Sequence, residues 1–252
     1  MRLDLTLSKR AQNEINHGKL LARMQNAEAA WGWGTPAGRE RAEKRISLIV
    51  RGAEIEAGRR VLEIGCGTGM FTEMLARSGA KIVAVDISPD LLEKARARNL
   101  PPDQIQFLHQ SFEDTSLTGP FDAVVGSSVL HHLDLATALR KIMEVLKPGG
   151  WLSFAEPNML NPQIFLERKL WFIRPLFWYV SRDETAFVRW SLHARLKEAG
   201  FENIEVTPFD WLHPLTPSKL VGQTIEMGER LERIPLLREF SGSLFIRARR
   251  PV

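Results

Sequence analysis

Short apolar runs alternate along the chain with longer stretches in which apolar residues recur at helical spacing. The apolar runs predict buried strands at 60–64, 80–85, 105–108, 121–125 and 150–155, and the stretches between them predict helices at 70–78, 89–98 and 135–146. Strands that alternate with helices are typical of βαβ units and of a parallel sheet with helices on both faces. Right-handed crossovers then place the carboxyl ends of these strands along one edge of the sheet, where such folds bind ligands.

The pattern changes on both sides of this central region. Residues 1–55 are polar and helical, with an interruption at 31–36, so we predict an N-terminal helical extension in two pieces, the second capped by Thr35. Residues 56–252 are predicted to form one α/β domain. Helical inserts are predicted before and after a strand at 201–206, and a last strand at 243–248 closes the domain; the inserts span about 158–188 and 211–240.

Composition and charge narrow the range of functions. The chain has 34 Lys and Arg against 30 Asp and Glu, and its basic residues are dispersed, so no basic stripe predicts nucleic-acid binding. Cys66 is the only cysteine, which excludes an intramolecular disulfide. The six histidines show no metal-ligand spacing, and we expect no metal. No signal-like run begins the chain and no apolar stretch approaches about twenty residues, so we expect a cytoplasmic protein.

The first candidate for chemistry is a glycine-rich loop after the first predicted strand. Gly65, Gly67 and Gly69 stand at alternate positions between that strand and a helix, so backbone N–H groups can approach a ligand without interference from Cβ atoms. Asp86 ends the second strand, 17 residues after Gly69, where an acid can accept hydrogen bonds from both hydroxyls of a ribose. Alternatively Asp86 caps the next helix, although Ser88 already suits that role.

This loop and acid resemble a known pattern. The segment from Glu63 to Gly69, followed by Asp86, is similar to the first two motifs of class I S-adenosylmethionine-dependent methyltransferases. Nicotinamide and flavin enzymes usually place their third glycine one residue later. Residues 120–133 resemble the fourth-strand motif of the ubiquinone and menaquinone C-methyltransferase type, and residues 146–152 resemble the turn before the fifth strand. The resemblance implies a Rossmann-like, doubly wound α/β fold with a seven-stranded sheet, mostly parallel, whose last strand is antiparallel.

The resemblance also implies a cofactor, S-adenosylmethionine, with S-adenosylhomocysteine as its product. Glu63 is then expected to organise the site near the methionine moiety. Ser111 stands where the family often has an Asp that bonds the adenine amine, so backbone groups or Glu113 are alternatives for that contact. The residues expected to bind the cofactor are Glu63, Gly65, Cys66, Gly67, Gly69, Asp86, Ile87, Ser111, Phe112 and Ser127.

Candidates for catalysis and acceptor binding come from other segments. His132 and His131 follow the fourth strand and could remove a proton from the acceptor, or they could simply cap or pack the turn. The aromatic stretch 164–180 could form a lid over an apolar acceptor, lie on a membrane surface, or fill core. The acceptor-binding candidates, for each of which a packing role is the alternative, are Trp31, Trp33, Glu156, Asn158, Trp171, Trp178 and Tyr179.

Together these observations predict an enzyme that transfers a methyl group from S-adenosylmethionine to oxygen or carbon of a small, apolar or lipid-like acceptor. The fourth strand ends without the Asp/Asn-Pro-Pro-aromatic motif, which argues against N-methylation of adenine or cytosine. We therefore expect no nucleic-acid partner. Two alternatives stay open: a non-catalytic subunit that binds S-adenosylmethionine, and an NAD-dependent oxidoreductase, which the glycine spacing disfavours.

Overall fold

A seven-stranded sheet forms the centre of the computed structural model, which describes residues 8–24, 26–113, 117, 119–169 and 185–252. In chain order the strands are β1 (Arg60–Ile64), β2 (Lys81–Asp86), β3 (Ile105–His109), β4 (Phe121–Ser127), β5 (Leu146–Pro157), β6 (Glu202–Phe209) and β7 (Ser243–Arg249). Their order across the sheet is β3-β2-β1-β4-β5-β7-β6. Strands β1 to β5 pair in parallel, whereas β7 is antiparallel to both β5 and β6. The predicted sheet, with its antiparallel last strand, is confirmed.

Helices cover this sheet, and polar side chains cap several of them. They are α1 (Lys9–Ala22), α2 (Ala27–Ala30), α3 (Pro36–Gly52), α4 (Met70–Ala76), α5 (Pro89–Arg96), α6 (Leu135–Val145), α7 (Pro162–Lys169), α8 (Arg189–Glu198), α9 (Val221–Glu232) and α10 (Pro235–Arg238), with 3₁₀ turns at Leu130–His132 and Ser218–Leu220. The predicted cap Thr35 accepts a hydrogen bond from the Gly38 N–H at 2.9 Å. Within the described ranges, no helix is long and apolar enough to cross a bilayer.

The N-terminal region has one more helix than the two pieces that the sequence predicts. Asn26 caps the short helix α2, and its side-chain oxygen accepts a hydrogen bond from the Ala29 N–H at 3.0 Å. A short polar side chain at this position competes with continued helix and favours a new helix start. The extension therefore consists of α1, α2 and α3.

Apolar side chains cover both faces of the sheet, and β1 shows how successive apolar residues serve this packing. Leu62 and Ile64 pack into the cluster on one face and Val61 into the cluster on the other; each is at most 2% exposed. Side chains alternate between the faces of a strand, so a strand covered on both faces needs apolar residues at successive positions. Burying each such side chain stabilises the fold by about 1.5–3 kcal/mol.

Helix α3 packs directly against this sheet. At its end, Gly52 lies so close to β5 and β7 that an added Cβ would be 2.5 Å from the Phe245 ring and 2.7 Å from Ser153 Oγ. Only glycine fits at that contact. Helix α3 is thus part of the same packed layers as the strands, and it delivers its inward-facing side chains to the middle of the sheet.

The strand order reverses at β1. From β1 the chain continues to β2 and β3 on one side, whereas β4 lies on the other side of β1. The loops that follow β1 and β4 therefore leave in different directions and open a crevice at the carboxyl edge of the sheet. The candidate functional site lies in this crevice.

Candidate functional site

A cavity of about 300 Å³ lies at the carboxyl ends of β1 to β5. Its floor is formed by the loops after these strands, and its cover is formed by α1 and by the segment around Trp31 and Trp33. A volume of this size is at the lower end of the range for small-molecule sites. The cavity lining includes Gly65, Cys66, Gly67, Asp86, Ile87, Ser111, Phe112, Ser127, His131 and His132, together with Trp31 and Trp33.

The glycine loop after β1 contacts both Asp86 and the turn after β4. Gly67 has a φ of +51° and lines the cavity, and its N–H donates a hydrogen bond to Asp86 Oδ2 at 2.7 Å. Gly65 lies against the turn after β4, where an added Cβ would be 2.3 Å from the Val129 side chain. Gly69 begins α4 and lies outside the cavity lining. The loop therefore needs glycine for its backbone conformation at Gly67 and for close approach at Gly65.

Asp86 is held in place by backbone donors from two directions. One carboxylate oxygen accepts the Gly67 N–H, and the other accepts the Ser88 N–H at 2.8 Å. Burial raises the pKa of Asp86, and the hydrogen bonds from Ser88 and Gly67 partly oppose that rise. Each oxygen keeps a further lone pair for a ligand donor. The carboxylate thus braces the loop and is at the same time able to accept hydrogen bonds from hydroxyl groups in the cavity.

Glu63 lies beneath the loop rather than in the cavity lining. It is 2% exposed, and its carboxylate accepts a hydrogen bond from the Thr72 hydroxyl at 2.6 Å, which joins β1 to α4. Burial raises the pKa of Glu63 to about 7; the hydrogen bond from Thr72 opposes this rise, and the negative charge of Asp86 adds to it. Its role near a methionine moiety stays a prediction, and its contacts here support the loop from below.

The loop after β3 forms the far end of the cavity. Ile87, Ser111 and Phe112 all line this end. Glu113 also lines it, and its carboxylate accepts a hydrogen bond from the Asp134 N–H at 2.6 Å, which ties the loop to the start of α6. Ile87 and Phe112 thus give this end of the cavity apolar side chains, and Ser111 and Glu113 give it polar ones.

The turn after β4 carries both candidate histidines, but their partners differ. His131 is 3% exposed, and its Nδ1 lies 2.6 Å from Oε2 of Glu156, which is completely buried on β5. His132 is less buried, and its Nδ1 lies 3.1 Å from Glu14 of α1. The two imidazole rings are in contact, with centroids 4.1 Å apart. The floor therefore holds His131, and a helix of the cover contacts His132.

Arg45 is a site residue that the sequence analysis missed. Its guanidinium is buried under the ends of β4 and β5, where it donates hydrogen bonds to the hydroxyls of Ser127 and Ser128 at 3.3 and 3.2 Å and to Ser243. Burial and the nearby Arg41 lower the pKa of Arg45 to about 10, so it stays charged at neutral pH. The sequence could have indicated its burial, because Arg45 falls on the apolar stripe of α3 formed by Ala42, Ile46 and Ile49.

Side-chain contacts attach the cover to the floor. Glu28 of α2 accepts a hydrogen bond from the Thr68 hydroxyl at 2.9 Å and forms an ion pair with Arg98. The Arg98 Nε in turn donates to the Thr68 carbonyl at 2.7 Å. Arg10 of α1 donates to the backbone carbonyl of His131 at 2.7 Å. These contacts hold α1 and α2 over the glycine loop and the histidine turn.

Trp31 and Trp33, two of the acceptor-binding candidates, lie in the cavity lining, and their role toward an acceptor stays a prediction. Trp31 lies over the glycine loop, 3.6 Å from the position that a Cβ on Gly67 would occupy. Trp33 contacts Phe71 edge to face, with ring centroids 5.5 Å apart, and the guanidinium groups of Arg41 and Arg45 each lie 5.2 Å from the Trp33 ring.

The other acceptor-binding candidates lie elsewhere. Asn158 does not line the cavity, because its amide donates hydrogen bonds to the carbonyls of Glu239 and Ser241, each at 2.8 Å. Glu156 is behind His131 and also outside the lining. Trp171, Trp178 and Tyr179 lie outside the described residues. Lining residues that the sequence analysis did not select include Pro157, Arg168 and His17.

The central part of the chain is similar in sequence to known proteins. Residues 62–154 match a family model described as a methyltransferase domain. The ubiquinone biosynthesis O-methyltransferase of Xanthomonas oryzae pv. oryzae (strain PXO99A) is 42% identical over 106 residues, which cover 40% of this chain and 44% of that protein. The chain thus matches less than half the length of this curated relative.

Solved structures match a larger part of the chain at lower identity. The N-methyltransferase NodS from Bradyrhizobium japonicum WM9, in complex with S-adenosylhomocysteine, is 20% identical with a TM-score of 0.63, over 95% of this chain and 100% of that one. A possible histamine N-methyltransferase from Thermotoga maritima is 21% identical with a TM-score of 0.65, over 93% and 99% of the two chains. These structures share the fold.

The sequence match and the cavity coincide. The glycine loop, Asp86 and the histidine turn all lie within residues 62–154, and these parts of the chain form the floor of the cavity. This part of the chain is therefore similar to methyltransferases in sequence, and the chain shares their fold.

Proposed function

We propose that this protein binds S-adenosylmethionine in the cavity and transfers its methyl group to an oxygen atom of a small, largely apolar acceptor. The observation that carries the proposal is the position of Asp86. Its carboxylate is fixed by the N–H groups of Gly67 and Ser88 and faces a cavity that continues to the loop after β3. When bound, S-adenosylmethionine supplies a methyl group on a sulfonium ion that needs no further activation.

The residues present fit this cofactor. Asp86 would accept hydrogen bonds from the ribose hydroxyls, and Ile87, Ser111 and Phe112 would enclose the adenine. Gly67 would leave room for the methionine part, with the Trp31 ring nearby. An aromatic face next to a cation is favourable, so Trp31 suits a sulfonium ligand.

Oxygen is the first choice of acceptor atom, and carbon is the second. The curated relative that is 42% identical is named an O-methyltransferase, and its match covers 40% of this chain. The remaining cavity wall is largely apolar, with Leu21, Phe71 and Leu133 among its side chains. This wall supports an acceptor with an apolar body, for which burial supplies most of the binding free energy.

The test is calorimetric titration of S-adenosylhomocysteine, and separately of NAD, into the wild-type protein and an Asp86→Ala variant. Loss of a charge-assisted ribose contact should weaken S-adenosylhomocysteine binding about ten- to a hundredfold. Asp103→Ala is the matched control, since Asp103 is exposed on the loop before β3. Folding of each variant is checked by circular dichroism.

Each outcome has a clear meaning. Equal affinity of wild type and Asp86→Ala would exclude the ribose role of Asp86. Binding of NAD alone, or of neither ligand, would overturn the proposed function and favour the oxidoreductase reading or another ligand. Tight binding of S-adenosylhomocysteine without methylation of any phenol, catechol or quinol tested would instead favour the non-catalytic binding subunit.

A further inference from the structure

His131 lies between a buried carboxylate and the cavity. His131 is one of the residues that line the cavity, whereas Glu156 is completely buried and is not part of the lining. The contact between them is short, with 2.6 Å between His131 Nδ1 and Glu156 Oε2. The imidazole is thus the group through which the carboxylate can influence a molecule in the cavity.

Glu156 is held as an ion by donors on both of its oxygens. Oε1 accepts the N–H groups of Val129 and Leu130, each at 2.9 Å, and Oε2 contacts His131. Burial opposes ionisation, but the charge and hydrogen bond of His131 and the two N–H donors outweigh it, so the pKa of Glu156 lies below its ordinary value. An ionised carboxylate only accepts hydrogen bonds, so the hydrogen of a neutral His131 ring is on Nδ1 and its lone pair is on Nε2.

We propose that His131 accepts the proton released during methyl transfer, that Glu156 is its positioning residue, and that the acceptor accordingly presents a weakly acidic hydroxyl group of the phenol or catechol class. This inference rests on the proposed function. The acceptor oxygen forms the new C–O bond with one of its lone pairs, the C–S bond of the donor breaks, and that electron pair stays on sulfur. The hydroxyl proton passes to Nε2, the Glu156 carboxylate stabilises the resulting imidazolium, and water later removes the proton.

His132 is the alternative proton acceptor, and its contacts assign it another task. Its Nδ1 pairs with Glu14, which belongs to the cover, and both side chains are partly exposed. A base whose orientation depends on the cover would lose its alignment whenever the cover opened. The charged or titratable groups around the two histidines are Arg10 and Glu14 on α1, Arg45 on α3, Asp86 on β2, Glu113 on the loop after β3, Glu156 on β5 and Arg168 on α7.

The first experiment follows the ring nitrogens of the two histidines by ¹⁵N NMR during a pH titration, in wild type and in Glu156→Gln. Glutamine keeps an acceptor for the Val129 and Leu130 N–H groups but removes the charge. Because an opposite charge this close favours the imidazolium, the His131 titration midpoint should move to lower pH by about one to three units. Glu14→Gln is the matched control and should leave the His131 midpoint in place.

The wild-type spectrum tests the same inference without any variant, should Glu156→Gln fail to fold. A neutral His131 ring with its hydrogen on Nδ1 is the expected result, and a neutral ring with its hydrogen on Nε2 would overturn the proposal. So would a midpoint that is the same in folded Glu156→Gln and in wild type. These measurements need no methyl donor, so they stand even if S-adenosylhomocysteine does not bind and the proposed function fails.

The second experiment tests the acceptor class with catechol and 4-nitrocatechol as probes. His131→Gln should lower kcat with catechol about a hundredfold or more, because general bases contribute at least that much. The loss should be much smaller with 4-nitrocatechol at a pH where its hydroxyl is already ionised. Equal losses with both probes would overturn the role as proton acceptor. If wild type binds S-adenosylhomocysteine but methylates neither probe, the acceptor class is wrong although the cofactor assignment stands.

Discussion

The floor and the cover of the cavity are built by different interactions. In the floor, Glu156 and Arg45 are at most 3% exposed, and each is bound by several groups from the ends of β4 and β5. In the cover, Glu28 and Glu14 are partly exposed and reach the floor through side-chain contacts with Thr68, Arg98 and His132. Buried charges held by several hydrogen bonds are costly to disturb, whereas partly exposed ion pairs contribute little and are screened by salt. We therefore expect the floor to stay fixed and the cover to separate from it more readily.

Among changes that test the difference between floor and cover, we expect replacement of Arg45 to have the largest effect. Replacing Arg45 with Met removes the donors to Ser127, Ser128 and Ser243 and leaves Asp210 with one guanidinium fewer nearby. We expect the free energy of unfolding, measured in urea, to fall by about 3–5 kcal/mol.

A second arginine on α3 provides the control for this change. Arg51 is exposed, and its Nε donates within the helix, to the Ser47 carbonyl. Arg51→Met should change the unfolding free energy by less than about 0.5 kcal/mol. If both variants lose the same stability, the buried arginine does not fix the floor.

The second effect concerns the cover and appears in ligand kinetics rather than in stability. Glu28→Gln weakens the contacts with Thr68 and Arg98, so α2 should separate from the glycine loop more often. We expect the dissociation rate of S-adenosylhomocysteine to rise about twofold to fivefold in stopped-flow displacement, and the difference from wild type to shrink at high salt.

A surface ion pair serves as the reference for Glu28. Glu43 pairs with Arg77 at 2.8 Å, and both side chains are more than half exposed. Glu43→Gln should leave the dissociation rate unchanged at every salt concentration. A Glu28→Gln variant that behaves in the same way would show that the α2 contact does not retain the ligand.

The smallest effects come from two helix caps, one on each side of the cavity. Asp134 caps α6 below the floor, and the hydrogen bond from the Thr137 N–H holds the pKa of its carboxyl below the ordinary value. A depressed pKa adds stability that is present above the ordinary value and is lost as pH falls through the folded-state value. Asp134→Ala should therefore lower the unfolding free energy by about 1 kcal/mol at neutral pH, and by progressively less in acid, as measured by urea titration.

Asn26 is the matching cap in the cover. Its amide does not titrate, so Asn26→Ala should have no pH-dependent effect on stability of this kind. We expect the four-residue helix α2 to exchange its amide hydrogens faster while the global unfolding free energy stays nearly constant. An equal loss of global stability in both cap variants would contradict the division into a fixed floor and a separable cover.

Much of the floor could be predicted from the sequence, because its key residues directly follow strands that the sequence also predicts. The glycines at 65 and 67 and the acid at 86 follow directly from strands that their own apolar runs predict, and crossover handedness places them at one edge. The floor's longer-range bonds were not predictable in this way. Arg45 contacts Ser243, which is 198 positions away, and helical spacing shows only that Arg45 faces inward.

The cover was harder to predict for a related reason. Its residues are polar and helical, and such a pattern does not predict which residue a given side chain contacts. The contacts of Arg10 with the His131 carbonyl and of Glu28 with Thr68 span 121 and 40 positions. Asn158 illustrates the same point, because it directly follows β5 but its amide bonds the carbonyls of Glu239 and Ser241.

The close approach of Gly65 to Val129 has a consequence for the evolution of this chain. The two positions are 64 residues apart, yet any side chain added at 65 would enter the volume that the valine occupies. The Val129 N–H is also bonded to Glu156, so a change at either position is transmitted to the partner of His131. Variation at 65 and 129 should therefore be correlated among descendants of this sequence, with a larger residue at one accepted only alongside a smaller one at the other.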